Sequence, residues 1–161
     1  MTIGGGNLRK GVSQAAGYSP LRNKKAFFTF LPHTADKKLL IWGKDLKELF
    51  RHGALAISHV LKECFPKTKQ LEAQKREVRI EAPSLDLLFA DFLQEVVKLA
   101  DIYNEIYPKV EIKELSDDAV HAHLYGVKVE RFDEDIKAVT YNDLFVKREK
   151  GRWVGQVVID V

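Results

Sequence analysis

Phe30–Phe50 reads FLPHTADKKLLIWGKDLKELF, and it holds four signals in a short span. A short apolar run meets a polar corner with Pro32, His33, Thr34 and Asp36. A second apolar run, Leu39-Leu40-Ile41-Trp42, stops at Gly43. Asp45-x-x-Glu48 then forms a capping box, because each side chain can satisfy an orphan N–H of a first helical turn. The order predicted is strand, tight corner, strand, helix. The corner crowds an imidazole, a hydroxyl and a carboxylate together ahead of the helix.

Outward from this stretch, strands are predicted over Ala26–Leu31 and Lys38–Trp42. Leu46, Leu49, Phe50, Gly53, Ala54, Ile57, Val60 and Leu61 recur at helical spacing and predict a core face that ends near Pro66. Residues 67–75 form a charged connector, and 77–82 alternate as a half-buried strand. Ser84 is placed to cap a second helix, with Asp86 complementing its dipole. Apolar residues from Leu85 to Tyr103 cover most of that helix's circumference. From Pro108 onward the period is two, with strands around 110–112, 120–125, 136–141, 144–148 and 153–161. Two helices among seven or eight strands predict a single α+β domain. The helices should pack on one face of a largely antiparallel, mixed sheet.

The 161-residue length suits one domain with a sizeable core. No apolar run reaches membrane-spanning length. The lone Cys64 excludes an intrachain disulfide and suits a cytoplasmic address. Beside Phe65, Cys64 reads as a small buried hydrophobe rather than a nucleophile. Of the net charge of +3, residues 1–25 carry +5 through Arg9, Lys10, Arg22, Lys24 and Lys25, leaving the rest at −2. With half of the ten glycines and no apolar period, residues 1–25 are expected to be a flexible basic extension ahead of a domain over 26–161. No basic stripe points to strong direct nucleic-acid binding.

Three places could carry chemistry. An H-x-x-D corner, His33 to Asp36, can hold a divalent cation or poise a proton, although spacing alone favours a plain turn. Asp160 interrupts the apolar closing run Val157-Val158-Ile159 and Val161. With the terminal carboxylate of Val161 it would form an oxygen-rich patch for Ca²⁺ or Mg²⁺ rather than Zn²⁺, and a frayed end is the alternative. Lys137 leads into the strand Ala138-Val139-Thr140-Tyr141 and matters only if it faces the same site. His121 and His123 read as a solvated strand face, and His52 and His59 share the polar side of the first helix two turns apart. Neither pair has zinc-ligand spacing. No phosphate loop, nucleophile elbow or C-x-x-C is present.

Together, Phe30-Leu31-Pro32-His33-Thr34-Ala35-Asp36, Trp42-Gly43 with Asp45–Phe50, Lys137-Ala138-Val139-Thr140-Tyr141 and Val158-Ile159-Asp160-Val161 resemble the signatures of the archease family, in order and spacing. The resemblance spans roughly residues 26–161. It implies a non-catalytic activator of an RtcB-type tRNA-splicing RNA ligase, promoting the ligase's guanylylation and multiple turnover. It also implies a divalent metal, Ca²⁺ foremost and Mg²⁺ or Mn²⁺ otherwise, on Asp36, Asp160 and Val161. Lys137 and His33 would be functional positions toward the partner. A metal-dependent phosphoesterase and a chaperone-like binding module with a structural metal are the alternatives. This chain departs from the family pattern in its basic extension, in Asn142 after Thr-Tyr, and in Lys37-Lys38 after the key aspartate.

Overall fold

The computed structural model describes residues 27–31, 36–65 and 73–161. The expected extension over 1–25 and the His33 part of the corner lie outside the described residues. The elements run β1 (Phe28–Leu31), β2 (Lys37–Gly43), α1 (Leu46–Leu61), β3 (Gln74–Glu81), α2 (Leu85–Tyr103), β4 (Glu105–Leu115), β5 (Ala119–Lys128), β6 (Ala138–Glu149) and β7 (Arg152–Asp160). The α+β class and the two helices are as the sequence predicts. Among the described residues every pairing is antiparallel, and the strands divide between two sheets, ordered β1-β2-β7-β6 and β3-β5-β4.

Local chemistry sets the helix ends. Asp45 Oδ1 accepts the Glu48 N–H at 2.8 Å, and Glu48 Oε1 accepts the Lys44 N–H at 2.9 Å. The reciprocal bond thus reaches one residue further back than a simple capping box. Gly43 makes the strand-to-helix elbow possible, since a Cβ there would stand 2.4 Å from the Leu49 nitrogen. α1 stops at Leu61, ahead of Pro66, where the Lys62 N–H closes on the Ser58 carbonyl. Cys64 therefore falls beyond the helix and is exposed, not the buried hydrophobe expected. Ser84 caps α2 through the Leu87 N–H at 3.3 Å, and Asn104 ends it in the left-handed region.

One continuous core joins both helices to both sheets, with Phe50, Phe89, Phe92, Leu49, Leu93 and Leu124 fully buried. Phe50 and Phe89 meet edge to face at 5.1 Å where the helices touch. Polar side chains of α2 also grip the edge strand β6. Gln94 Oε1 accepts the Val139 N–H at 2.8 Å, and Asp86 Oδ1 accepts the Val146 N–H at 3.0 Å. Between these points the β6–β7 register shifts, with Asp143 at φ 52°. Covering an edge in this way satisfies N–H groups that would otherwise invite another strand.

A second polar anchor lies in the three-stranded sheet. Glu105 is fully buried and takes a bidentate bond from Arg76, at 3.0 and 2.7 Å, plus the Tyr107 hydroxyl at 3.1 Å. The Arg76 guanidinium also lies over the Tyr103 ring at 3.5 Å. Burial, then the Glu105 charge, drives the Tyr107 hydroxyl pKa strongly upward, so it remains a donor.

Candidate functional site

The β2–β7 register pairs Lys37 with Ile159, so one further step places Asp36 opposite Asp160. On the other side of β7, Asp160 pairs with Ala138, and the Lys137 N–H donates to the Asp160 carbonyl at 2.7 Å. Asp36, Lys137, Asp160 and Val161 therefore gather at one end of the four-stranded sheet. Asp36 and Asp160 are half-buried, and Lys137 is exposed. His33, the remaining residue of the expected set, lies outside the described residues.

The segment leading into Lys137 is held by α1. The Leu61 carbonyl accepts the Asp133 N–H at 2.7 Å, and Asp133 Oδ2 accepts the Glu63 N–H at 3.0 Å. That N–H, and then Lys62, hold the Asp133 carboxyl below its usual range. Beyond it, Lys137 borders an open cleft with Gln94, Asp101, Phe132 and Asp135. Thr140 Oγ1 donates to the Val158 carbonyl at 2.9 Å, and the exposed Tyr141 donates to Asp91 on α2. Side chains of the Lys137–Tyr141 run thus tie β6 to β7 and to α2.

The two lysines after Asp36 have acids of their own. Lys37 Nζ stands 3.6 Å from Glu134, and Lys38 Nζ 3.1 Å from Asp143. Their charge is therefore partly answered away from the Asp36 carboxylate. Two carboxylates and a main-chain oxygen of Val161 are hard donors of the kind that could hold Ca²⁺, Mg²⁺ or Mn²⁺.

The histidines are arranged differently from expectation. His52 and His59 are half-buried among aromatics rather than on a polar face. His59 stacks on Phe65 at 4.2 Å and on Phe28 at 5.7 Å, and His52 lies 4.6 Å from Phe27. Burial lowers both imidazole pKa values. His121 and His123 are also not fully solvated, with side chains 16% and 15% exposed. Both face Glu77 from the neighbouring strand, a partner 44 residues from His121 that no local spacing announces.

The model of the archease protein family matches residues 28–161. The protein archease of Methanosarcina mazei is 32% identical over 151 residues, covering 88% of this chain and 99% of that one. The protein archease of Pyrococcus abyssi is 31% identical, covering 80% and 94%. Among solved structures, protein 1598 of Methanobacterium thermoautotrophicum aligns with a TM-score of 0.59 at 28% identity, over 83% of this chain and 98% of that one. A Thermotoga maritima protein, described as an archease and possible chaperone, shares the fold with a TM-score of 0.55 at 20% identity, over 81% and 94%.

Proposed function

From the premise that this chain belongs to the archease family, we propose that it is an accessory protein that activates an RtcB-type RNA ligase of tRNA splicing. It promotes guanylylation of the ligase and lets it turn over repeatedly, without joining RNA itself. The observation that carries this reading is the placing of Asp36, one residue ahead of β2, at the same sheet end as the Asp160–Ala138 pair, with Lys137 fastened to Asp160.

Asp36, Asp160 and a main-chain oxygen of Val161 would hold a hard divalent cation, with Ca²⁺ the best match to such a donor set. Bound there, the cation would supply positive charge toward a transferring phosphate in the partner's nucleotide site. Lys137, exposed and lining the cleft beside α2, and His33 would face the ligase. Outside residues 1–25 the net charge is −2, which suits a protein partner better than direct RNA binding. A cytoplasmic setting belongs to the same reading. None of the described helices is long and apolar enough to cross a membrane.

The test is a guanylylation time course with limiting ligase, with and without this protein. Acceleration that is lost in folded Asp36→Ala and Asp160→Ala supports the reading. Full acceleration by either variant sinks the metal's part in it. No acceleration by folded wild type rejects the activator role. In that case, a metal-dependent melting temperature would favour the chaperone-like module, and chelator-sensitive phosphate release would favour a phosphoesterase.

A further inference from the structure

A second cluster of ligand-type side chains lies on the other sheet, away from the Asp36–Asp160 corner. β5 presents His121 and His123 two residues apart, so both project from the same face of the three-stranded sheet. Glu77 on β3 is the direct cross-strand partner of His123. Its Oε2 stands 2.9 Å from His121 Nε2 and 3.7 Å from His123 Nε2. One ligand atom from each residue falls within 4.8 Å of the others. The two rings meet edge to face, at 86° and 5.2 Å between centroids, instead of stacking.

We infer that Glu77, His121 and His123 form a binding site for a borderline transition-metal ion, with Zn²⁺ as the reference ligand. Bonds of about 2.0–2.2 Å in a tetrahedral site place ligand atoms roughly 3.4 Å apart. The separations from Glu77 to the two rings bracket that value, so small rotations bring the three donors onto one ion. Two imidazole nitrogens and one carboxylate select against Ca²⁺ and in favour of Zn²⁺ or Cu²⁺.

The surroundings suit this assignment. Glu114 Oε1 stands 4.0 Å from His121 Nδ1, behind the ring, within a small rotation of the place where a carboxylate orients a ligating imidazole. Glu111 is the cross-strand partner of His123 and adds negative charge on that side. It also accepts the Tyr125 hydroxyl at 2.9 Å. Arg79 opposes binding, lying 3.6 Å from Glu77, but its side chain is 65% exposed and free to swing into water. His121 also borders an open cleft with Arg79, Glu114 and Ser116, which leaves a path for the ion and for a water as fourth ligand. The ion would join β3 to β5 and stiffen the sheet that holds the buried Glu105.

This inference does not depend on the ligase reading, and its test uses the whole chain without a ligase. Zn²⁺ titration by calorimetry, and Co²⁺ titration followed by visible absorption, are run on wild type and on Glu77→Gln, His121→Gln, His123→Gln and Asp36→Asn. One Zn²⁺ should bind wild type and Asp36→Asn equally. Each substitution at the cluster should weaken binding by about 10-fold or more and abolish the four-coordinate Co²⁺ bands. Circular dichroism of the three cluster variants should match wild type, because all three positions lie on a partly exposed sheet face. Unchanged Zn²⁺ affinity in the cluster variants, or loss in Asp36→Asn instead, overturns the assignment. So does a wild type that takes up no Zn²⁺, which would leave the cluster as a His121–Glu77 hydrogen bond.

Discussion

The Lys137 main-chain N–H donates to the Asp160 carbonyl at 2.7 Å, while the Lys137 side chain remains exposed. The backbone of this residue thus belongs to the sheet, and its ammonium belongs to the surface. Lys137→Ala keeps the N–H and removes only the charge. Unfolding stability should therefore stay within about 0.5 kcal/mol of wild type, as surface truncations do. On the proposed cation site, Ca²⁺ affinity should stay near wild type as well. On the proposed activator role, ligase guanylylation should drop to the level without this protein. An equal loss of Ca²⁺ binding would show instead that Lys137 shapes the cation corner.

Glu105 is fully buried and ionically satisfied by Arg76 alone among the described cations within ion-pair distance. Arg76→Ala would leave a buried carboxylate without its countercharge, at a cost of about 3 kcal/mol. That estimate sits at the low end for buried pairs because the Arg76 side chain is 21% exposed. Arg76→Met with Glu105→Gln should recover much of the loss, since the charge goes and Tyr107 keeps an acceptor. Urea unfolding of both variants reads the difference directly. A double variant no more stable than Arg76→Ala would place the cost in lost packing on Tyr103.

His52 and His59 set a pH dependence of known sign. Burial lowers both folded-state pKa values below the ordinary 6.5. Between the lowered values and 6.5 the unfolded chain binds more protons than the folded one, so stability rises with pH there. Above that window these two groups contribute no slope. Stability should therefore be flat in their contribution at pH 7–8 and fall as the pH drops below about 6.5. The neutral form is also the one His52 uses, donating from Nδ1 to the Trp42 carbonyl at 2.6 Å while Nε2 faces Arg51. His59→Phe, among Phe28 and Phe65, should lose its share of the acid slope. Denaturant midpoints measured from pH 5 to 8 check this, and an unaltered slope in the variant would count against it.

What the sequence made legible was what local chemistry decides. The caps at Asp45 and Ser84, the two apolar stripes and the alternating strands are each written within a few residues. The division into two sheets was not, because strand partners lie far apart: β2 finds β7, and β3 finds β5. The corner was half legible. Asp36 and Asp160 stand out as acids beside apolar runs, but only the family resemblance joined them, and the register now brings them to one sheet end. His52 and His59 misled because a polar residue on a helix face says nothing of the aromatics, Phe27 and Phe28, that the start of the chain's first strand lays over it. Glu105 is, in sequence, one more charged residue after a helix, and Arg76, 29 residues earlier, is what makes its burial tolerable.

Gly155 lies in the middle of β7 where Phe89 of α2 presses on the strand. A Cβ at this position would stand 2.7 and 3.0 Å from two Phe89 ring carbons. Phe89 is fully buried and held edge to face by Phe50, so the ring cannot step aside without moving α2. Gly155→Ala should therefore destabilise the fold by about 1–3 kcal/mol, the usual cost of overpacking. The strain should also travel. α2 grips β6 through Gln94 at Val139, next to the Ala138–Asp160 pair, so pushing the helix outward loosens the corner that gathers Lys137 and Asp160. On the proposed cation site, Ca²⁺ affinity should fall in Gly155→Ala even though no proposed donor is altered, and Phe89→Leu in the same chain should restore part of both losses. If stability drops while Ca²⁺ affinity holds, α2 supports the core without positioning the corner.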